Sequence, residues 1–574
     1  MSKNENITAE VISIHDFFTR GIFEIPHYQR AYSWTTDEVK NLIEDIFESF
    51  QRDTNAQYLL GAITTIGEEN TNTYEILDGQ QRITTLSLIF KWLSKEFTFN
   101  KDQFRTETAC DDIIFKSNGD EDNDKSNNRN PRIIHGRESD RTIYDFIIKN
   151  IGQQKSHKLI DTYDLLNNYN AELTEIEFIR YLLHKVMFVH VNTHSLESAY
   201  QIFETLNDRT KSLQKIDLIR NRLFREMQKD QVETACKVWD TLYSKISLII
   251  NGRTIDTHIQ SLFNTFIEAK RGLWIETKDL FIEIKKMLSE NGNNKDYPYN
   301  LFSKIANSFG IYMDVHHPGG SVGSLGSQLD NDLIRKVKSI NNFKISFAIL
   351  FALFDLCSRS NNKIPKEVNA IISNLVNFIK RTKYIGNLPV AKYGKEFNVI
   401  AKDIINLNNI DELNSISFYD RLTKIDEDNK KIINSNNFIE KLKNTDFKEE
   451  IAKDILIHIH NHERDTEGEH LTKTKDLHAE HICPQELKYD WKKIFTQEDH
   501  NYYLGKLGNF TLLSGPKNIE ASNEPFAKKK YIYKESRFPI TSSLSKEDKW
   551  DKDKIQQRTE ELAKKITYIL ELHN

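Results

Sequence analysis

EILDGQQRITTL, residues 75–86, decides how the N-terminal half of the chain is read. An apolar run stops at Asp78-Gly79, and two amides and a guanidinium, Gln80, Gln81 and Arg82, open a helical pattern. A strand, a tight turn and a helix start leave the first backbone N–H groups of that helix without intrahelical partners, at the positive end of its dipole. Such a terminus suits phosphate, and Arg82 adds charge-assisted bonds to it. Asp78 is then a candidate for holding Mg²⁺ or orienting a water, and the glutamines for positioning a nucleophile or reading a base. The competing reading is a plain turn with Gln80 as helix cap. No GxxxxGK[ST] occurs anywhere, so this is not an ordinary P-loop.

The surroundings alternate short strands and helices. FEIPHYQRAYSW (23–34) reads as extended and turn-rich, since Pro26 restricts the backbone before it. TTDEVKNLIEDIFESF (35–50) is an amphipathic helix, capped by Thr35 or Thr36, with Val39, Leu42, Ile43, Ile46, Phe47 and Phe50 at helical spacing. YLLGAITTI (58–66) and TYEILDG (73–79) read as strands, followed by a helix over 82–95. Residues 117–131 are a polar loop, and helical periodicity then dominates to about 460. HPGGSVGSLGSQ (317–328) interrupts it as a loop or hinge.

A chain of 574 residues, 38% hydrophobic and 28% charged, is long enough for several domains. A net charge of -5 neither announces nor excludes a local basic groove. Cys110, Cys236, Cys357 and Cys483 form no CxxC pair, which argues against a disulfide framework or thiolate zinc site and fits a reducing cytoplasm. The N-terminus has no signal-peptide pattern, and the most apolar runs, ISFAILFALFDL and TLSLIF, are too short to span a bilayer. A cytoplasmic protein without a membrane partner is expected.

The last 110 or so residues change character. Histidines gather at 458, 460, 462, 470, 478 and 481, and DLHAEHICPQ (476–485) is followed by LGNFTLLSGPKNIEASNEPFAKKK (507–530). Phosphodiester hydrolysis with one metal needs a general base for water and a divalent ion at the phosphate. Glu480-His481 before a strand-ending Pro484, Asn509 on a second strand, and Asn518 after a Gly515-Pro516 turn into a helix supply such groups compactly. His458, His460 and His462 cannot all converge from one helix, so a polar helix end is the better reading for them.

This ordered set resembles the HNH (His-Me finger) nuclease motif. The resemblance implies His481 as general base, Glu480 and Asn518 as metal ligands with His478 as an alternative, Asn509 as brace of the hairpin at the catalytic site, and Lys528 or Lys529 on the phosphate. The Glu before His481, where many relatives carry Asp or His, puts the coordination in doubt. IPHYQRAYSW, LLGAITT, ILDGQQRITTL and FETLNDRTKSLQKIDLIRN (203–221) occur together and in order. That set resembles the N-terminal domain of GmrSD-type modification-dependent (type IV) restriction endonucleases, a ParB/sulfiredoxin-like core whose DGQQR motif belongs to a nucleotide-hydrolysing site. It implies a nucleotide site of Asp78, Gly79, Gln80, Gln81 and Arg82, joined by Arg30. Asn207, Asp208 and Arg209 read equally as a capping turn or as part of that site. Tyr28, Tyr32 and Trp34 read as packing residues or as a pocket lining.

The expected fold is α+β and predominantly helical: a ParB-like core over 1–115, helices of the same domain over 135–240, a helical middle over 241–455, and a ββα-metal HNH nuclease over 456–574. The expected activity is Mg²⁺- or Mn²⁺-dependent cleavage of modified double-stranded phage DNA, gated by GTP or ATP with Mg²⁺, with a second copy of the chain as a further partner. The alternatives are an RNA- or tRNA-cleaving abortive-infection nuclease and a non-catalytic ParB-like DNA-binding regulator.

Overall fold

The computed structural model describes residues 7–27, 29–68, 72–97, 104–116, 129–150, 156–169, 171–194, 198, 215–249, 255–276, 279–360, 364–385, 390–426, 434–463, 471 and 476–573. Tyr28, Asn207, Asp208, Arg209, His470 and most of the 117–131 loop lie outside these residues. The fold is α+β and mostly helical, in two compact units. One contains residues 1–260 with 277–306, the other residues 261–276 with 307–574.

The first unit is built on six strands: β1 (Thr8–Ser13), β2 (Ile22–Ile25), β3 (Tyr58–Glu68), β4 (Thr73–Asp78), β5 (Ile133–His135) and β6 (Val186–Thr193). They form one mixed sheet in the order β1-β6-β3-β4-β2-β5. Only the outer β1–β6 pair and the β3–β4 pair are antiparallel. Helix α1 (Thr36–Arg52) forms where its apolar spacing expects it, and its capping box is complete: the Thr35 N–H donates to Glu38 at 2.8 Å. Helix α2 (Gln80–Phe97) follows β4 after a single residue. Its Ile83, Leu86, Leu88, Ile89, Phe90 and Leu93 are all buried, so the helix runs through the core and not over it. The buried Tyr32 belongs to that core, its hydroxyl 2.7 Å from that of Thr85. Helices α3 (Lys215–Arg225) and α4 (Lys229–Ile249) complete what the site needs.

In the second unit, α5 (Phe347–Arg359) is apolar on nearly every side and buried accordingly. Beside it, α6 (Lys366–Ile385) and α7 (Val390–Ile405) present amphipathic faces. The glycine-rich 317–328 loop closes on the buried Asp314, whose carboxylate accepts the Leu325 N–H at 2.8 Å. Helix α8 (Glu449–Glu463) leads to the hairpin of β7 (Leu477–His481) and β8 (Phe510–Ser514). Then come α9 (Gly515–Ala521), α10 (Phe526–Lys534) and α11 (Lys552–Ile569). One face of the hairpin (Leu477, Ala479, Phe510, Leu512) shares a core with Ile455 and Ile459 of α8 and Leu562 and Ile566 of α11. The buried Arg381 of α6 donates to the carbonyls of Thr567 and Leu570, satisfying the open C-terminal end of α11. Along α8 the three histidines diverge: His458 meets Lys380, His460 is buried against Phe538, and His462 meets Tyr568. All four cysteines are buried, and none is in a disulfide.

Candidate functional site

In the first unit, the end of β4, the turn at Gly79 and the start of α2 form the floor of a cavity of about 130 Å³. Gln29, Arg30, Trp34, Asp78, Gln80, Gln81, Arg82 and Asp217 line it. Gly79 has φ +93°, and an added Cβ would lie 2.9 Å from the Ile63 side chain, so both backbone sign and space call for glycine here. Gly61 plays a second such part. It sits at an irregularity of β3 with φ +114°, and a Cβ there would stand 2.5 Å from Arg82 Nη1. The missing side chain is what lets Arg82 lie against β3, donate to the Leu60 carbonyl at 3.3 Å and approach Asp78 at 3.7 Å.

Besides lining the cavity, the two glutamines hold neighbouring backbone. Gln81 Oε1 accepts the N–H groups of Ser33 (2.8 Å) and Trp34 (3.3 Å), and its Nε2 donates to the Ala31 carbonyl at 3.3 Å. Gln80 donates to the Arg30 carbonyl at 3.2 Å. Gln29 returns the arrangement, its amide donating to the carbonyls of Ile76 and Leu77. The amides therefore stitch the segment 29–34, which has no regular structure, onto the β4–α2 corner. The stitching brings Arg30 to the cavity.

Charge in the cavity is balanced around Arg30. Burial opposes its positive charge, but Asp217, Asp256, Tyr243 and Asp78 outweigh burial together and hold the pKa above its ordinary value. Burial pushes the Asp78 carboxyl up, against the pull of Arg82. Asp256, at the start of the helix Ile255–Arg271, is raised to about 6 by burial and by Asp217. Neither acid was singled out from the sequence. Asp217 falls inside the quoted KIDLIRN segment, whereas nothing local marks Asp256.

In the second unit, β7 and β8 pair antiparallel with His481 opposite Phe510 and Glu480 opposite Thr511. Helix α9 follows β8 directly, giving the ββα order. Neighbouring strand residues face opposite sides. His481 lies on the α8 side, its ring 4.4 Å from that of Phe510 and its Nδ1 3.7 Å from Glu449. Its side chain keeps 13% exposure. Burial, then the positive charge of Lys529, lowers its pKa to about 4, so the imidazole is neutral at neutral pH.

Glu480 lies on the other side and is buried, its Oε1 2.5 Å from Lys529 Nζ and 3.4 Å from the Tyr533 hydroxyl. Lys529 has no exposed side-chain surface and also donates to the His481 carbonyl at 2.8 Å. It is therefore withdrawn from any phosphate, while Lys528, paired at 3.1 Å with Glu524, is largely exposed. Asn509 is fully buried: its amide bonds both the N–H and the carbonyl of Cys483 and the carbonyl of Leu504. It braces the two strands and touches no open surface. His500, missed in the sequence, holds the Pro484 carbonyl at 2.8 Å just beyond the end of β7.

Comparison with known families settles what kind of chain this is. Residues 14–224 match the GmrSD restriction endonuclease N-terminal domain, and residues 427–565 match the GmrSD restriction endonuclease C-terminal domain. The chain belongs to the GmrSD restriction endonuclease family. No curated protein matches it. In this GmrSD-family chain the cavity residues Gln29 to Asp217 fall within the first match, and the hairpin with α9 and α10 falls within the second. Membership makes it a restriction endonuclease with DNA as the substrate class. Among the described residues no helix is long and apolar enough to cross a membrane.

The divalent ion expected at the hairpin can be tested against the residues there. Among the described residues no three His, Cys, Asp or Glu side chains gather as a metal site. Asn518 Oδ1 is buried without a hydrogen-bond partner among the described residues. Glu480 Oε1 is engaged by Lys529 and Tyr533, which leaves only its other carboxylate oxygen. With no third acid or histidine gathered there among the described residues, Glu480 and Asn518 do not make a complete cation site as they stand.

Proposed function

We propose that this chain hydrolyses phosphodiester bonds of modified foreign DNA at the β7–β8–α9 hairpin, under control of a nucleoside triphosphate bound at the DGQQR cavity. The observation that carries the nuclease reading is His481, a neutral and partly exposed imidazole at the end of a strand braced by Asn509 and His500. The neutral imidazole has one ring nitrogen free of a proton to act as the acceptor. It takes the proton of a water as that water attacks phosphorus, and the proton later serves the departing oxygen. Lys528, exposed on α10, is the cation within reach of DNA phosphates. Mg²⁺ or Mn²⁺ belongs to this reading as the ion that would neutralise the scissile phosphate.

The cavity supports the control site. Its volume is below the roughly 300 Å³ at which small-molecule pockets begin, so it fits the phosphate end of a nucleotide and not the whole. Arg30, Arg82 and the N-terminus of α2 favour that negative charge, and Asp78 with Asp217 suits an accompanying Mg²⁺. The test is a panel of modified and unmodified phage DNAs, and total RNA, incubated with GTP, ATP, CTP or UTP and without nucleotide. Metal-dependent cutting of modified DNA that changes with one nucleotide supports the proposal. Cutting of RNA alone, or tight DNA binding without cutting, replaces it with one of the alternatives. Phosphate release equal in the parent and Arg82→Ala sinks the role given to the cavity.

A further inference from the structure

The pair formed by Glu480 and Lys529 departs from the ligand role that the motif assigns to the acid. Lys529 reaches from α10 into the hairpin with a side chain of 0% exposure, and Glu480 is 7% exposed. A bare buried carboxylate or ammonium is costly, and a pair at 2.5 Å offsets much of that for both. The same ammonium donates to the His481 carbonyl, and Tyr533 supplies a further donor to Glu480. The carboxylate thus has its cation inside the fold. A divalent ion at that oxygen would sit against the lysine ammonium, since both need the same lone pairs, and like charges at such a distance repel strongly.

We infer that Lys529 is the cation for Glu480 Oε1 and that the pair is a positioning device holding the strand end that carries His481. One lysine touches both the acid's side chain and the backbone of the next residue, so it fixes the last peptide of β7 from the side opposite the imidazole. His481 is then aimed by α10 on one side of the strand, with Phe510 and Glu449 on the other. This inference rests on the nuclease reading of the hairpin only where it concerns nicking.

The test uses the full chain and the variants Glu480→Gln, Lys529→Met and the two combined. Melting curves are recorded, and DNA nicking in Mn²⁺ is resolved into kcat and KM. Each single change at the pair leaves one buried charge alone and lowers the melting temperature, and the double variant recovers part of the loss. Nicking by the double variant falls at least tenfold in kcat, with KM within about twofold. The inference is overturned if the losses from the two single changes simply add, or if raising Mn²⁺ restores the kcat of the double variant. A parent that does not nick DNA overturns the nuclease reading instead, and the melting cycle then still decides whether the pair is a structural unit.

Discussion

Gln81→Ala separates the stitching role of the glutamines from a chemical one. Gln81 is buried and makes three bonds to backbone groups of Ala31, Ser33 and Trp34. Each bond contributes about 1 kcal/mol net, and a backbone group left unsatisfied costs about 1–3 kcal/mol. Ser33 and Trp34 are partly exposed, so water replaces some of what is lost, and the change costs about 3 kcal/mol in total. For a unit of this size that lowers the melting midpoint by roughly 5 °C. The chain next to Arg30, at Ala31, Ser33 and Trp34, loses its hold in the same step, so phosphate release falls at least tenfold at low nucleotide concentration and recovers partly at high. Gln80→Ala, with one bond to lose, costs about 1 kcal/mol. The assay is calorimetry beside phosphate release over a nucleotide titration. A Gln81→Ala protein that melts like the parent yet releases no phosphate at any nucleotide concentration would refute the stitching argument and return the amide to a chemical role.

Three further expectations follow. His481→Ala lowers nicking by at least about a hundredfold while phosphate release stays at the parental rate, measured on supercoiled plasmid and by phosphate assay. Gly61→Ala adds positive-φ strain and drives Arg82 off β3, so it costs about 1–3 kcal/mol and reproduces the phosphate-release defect of Arg82→Ala; normal release would show that the Arg82 position is not needed. His135 and His190 are buried in the sheet, and burial lowers each to about 4 from 6.5. The folded state keeps both neutral while the unfolded chain takes up protons below 6.5. Their contribution is therefore full above pH 6.5 and is lost as pH falls toward 4, on the order of 3 kcal/mol each at most. Urea titrations of the full chain between pH 7 and 4 should show the first unit losing stability in that window, and a flat profile would contradict it.

Much of the scaffold was legible because the signals are local. Thr35 and Glu38 announce the cap of α1, alternating apolar residues mark β3 and β4, and Asp78-Gly79 marks the corner before α2. The ββα order was legible for the same reason, through Glu480-His481, Asn509 and Gly515-Pro516. What escaped depended on which side of an element faces which neighbour. Asp256 reaches the charge balance of Arg30 from a helix about 180 residues after the DGQQR corner, and no local pattern points to it.

By itself, then, the sequence determined the elements, their order and the residue types able to do chemistry, because caps, periodicity and turn chemistry act over a few positions. Tertiary structure decided which of those polar groups are free to act. Gln80 and Gln81 line the cavity and are also fastened to the chain between Gln29 and Trp34, which no local pattern shows. Glu480 and His481 are neighbours in sequence but face opposite sides of one strand. The acid is buried against Lys529, and the imidazole is left toward solvent. Burial and pairing are properties of a packed interior, and only packing assigns them.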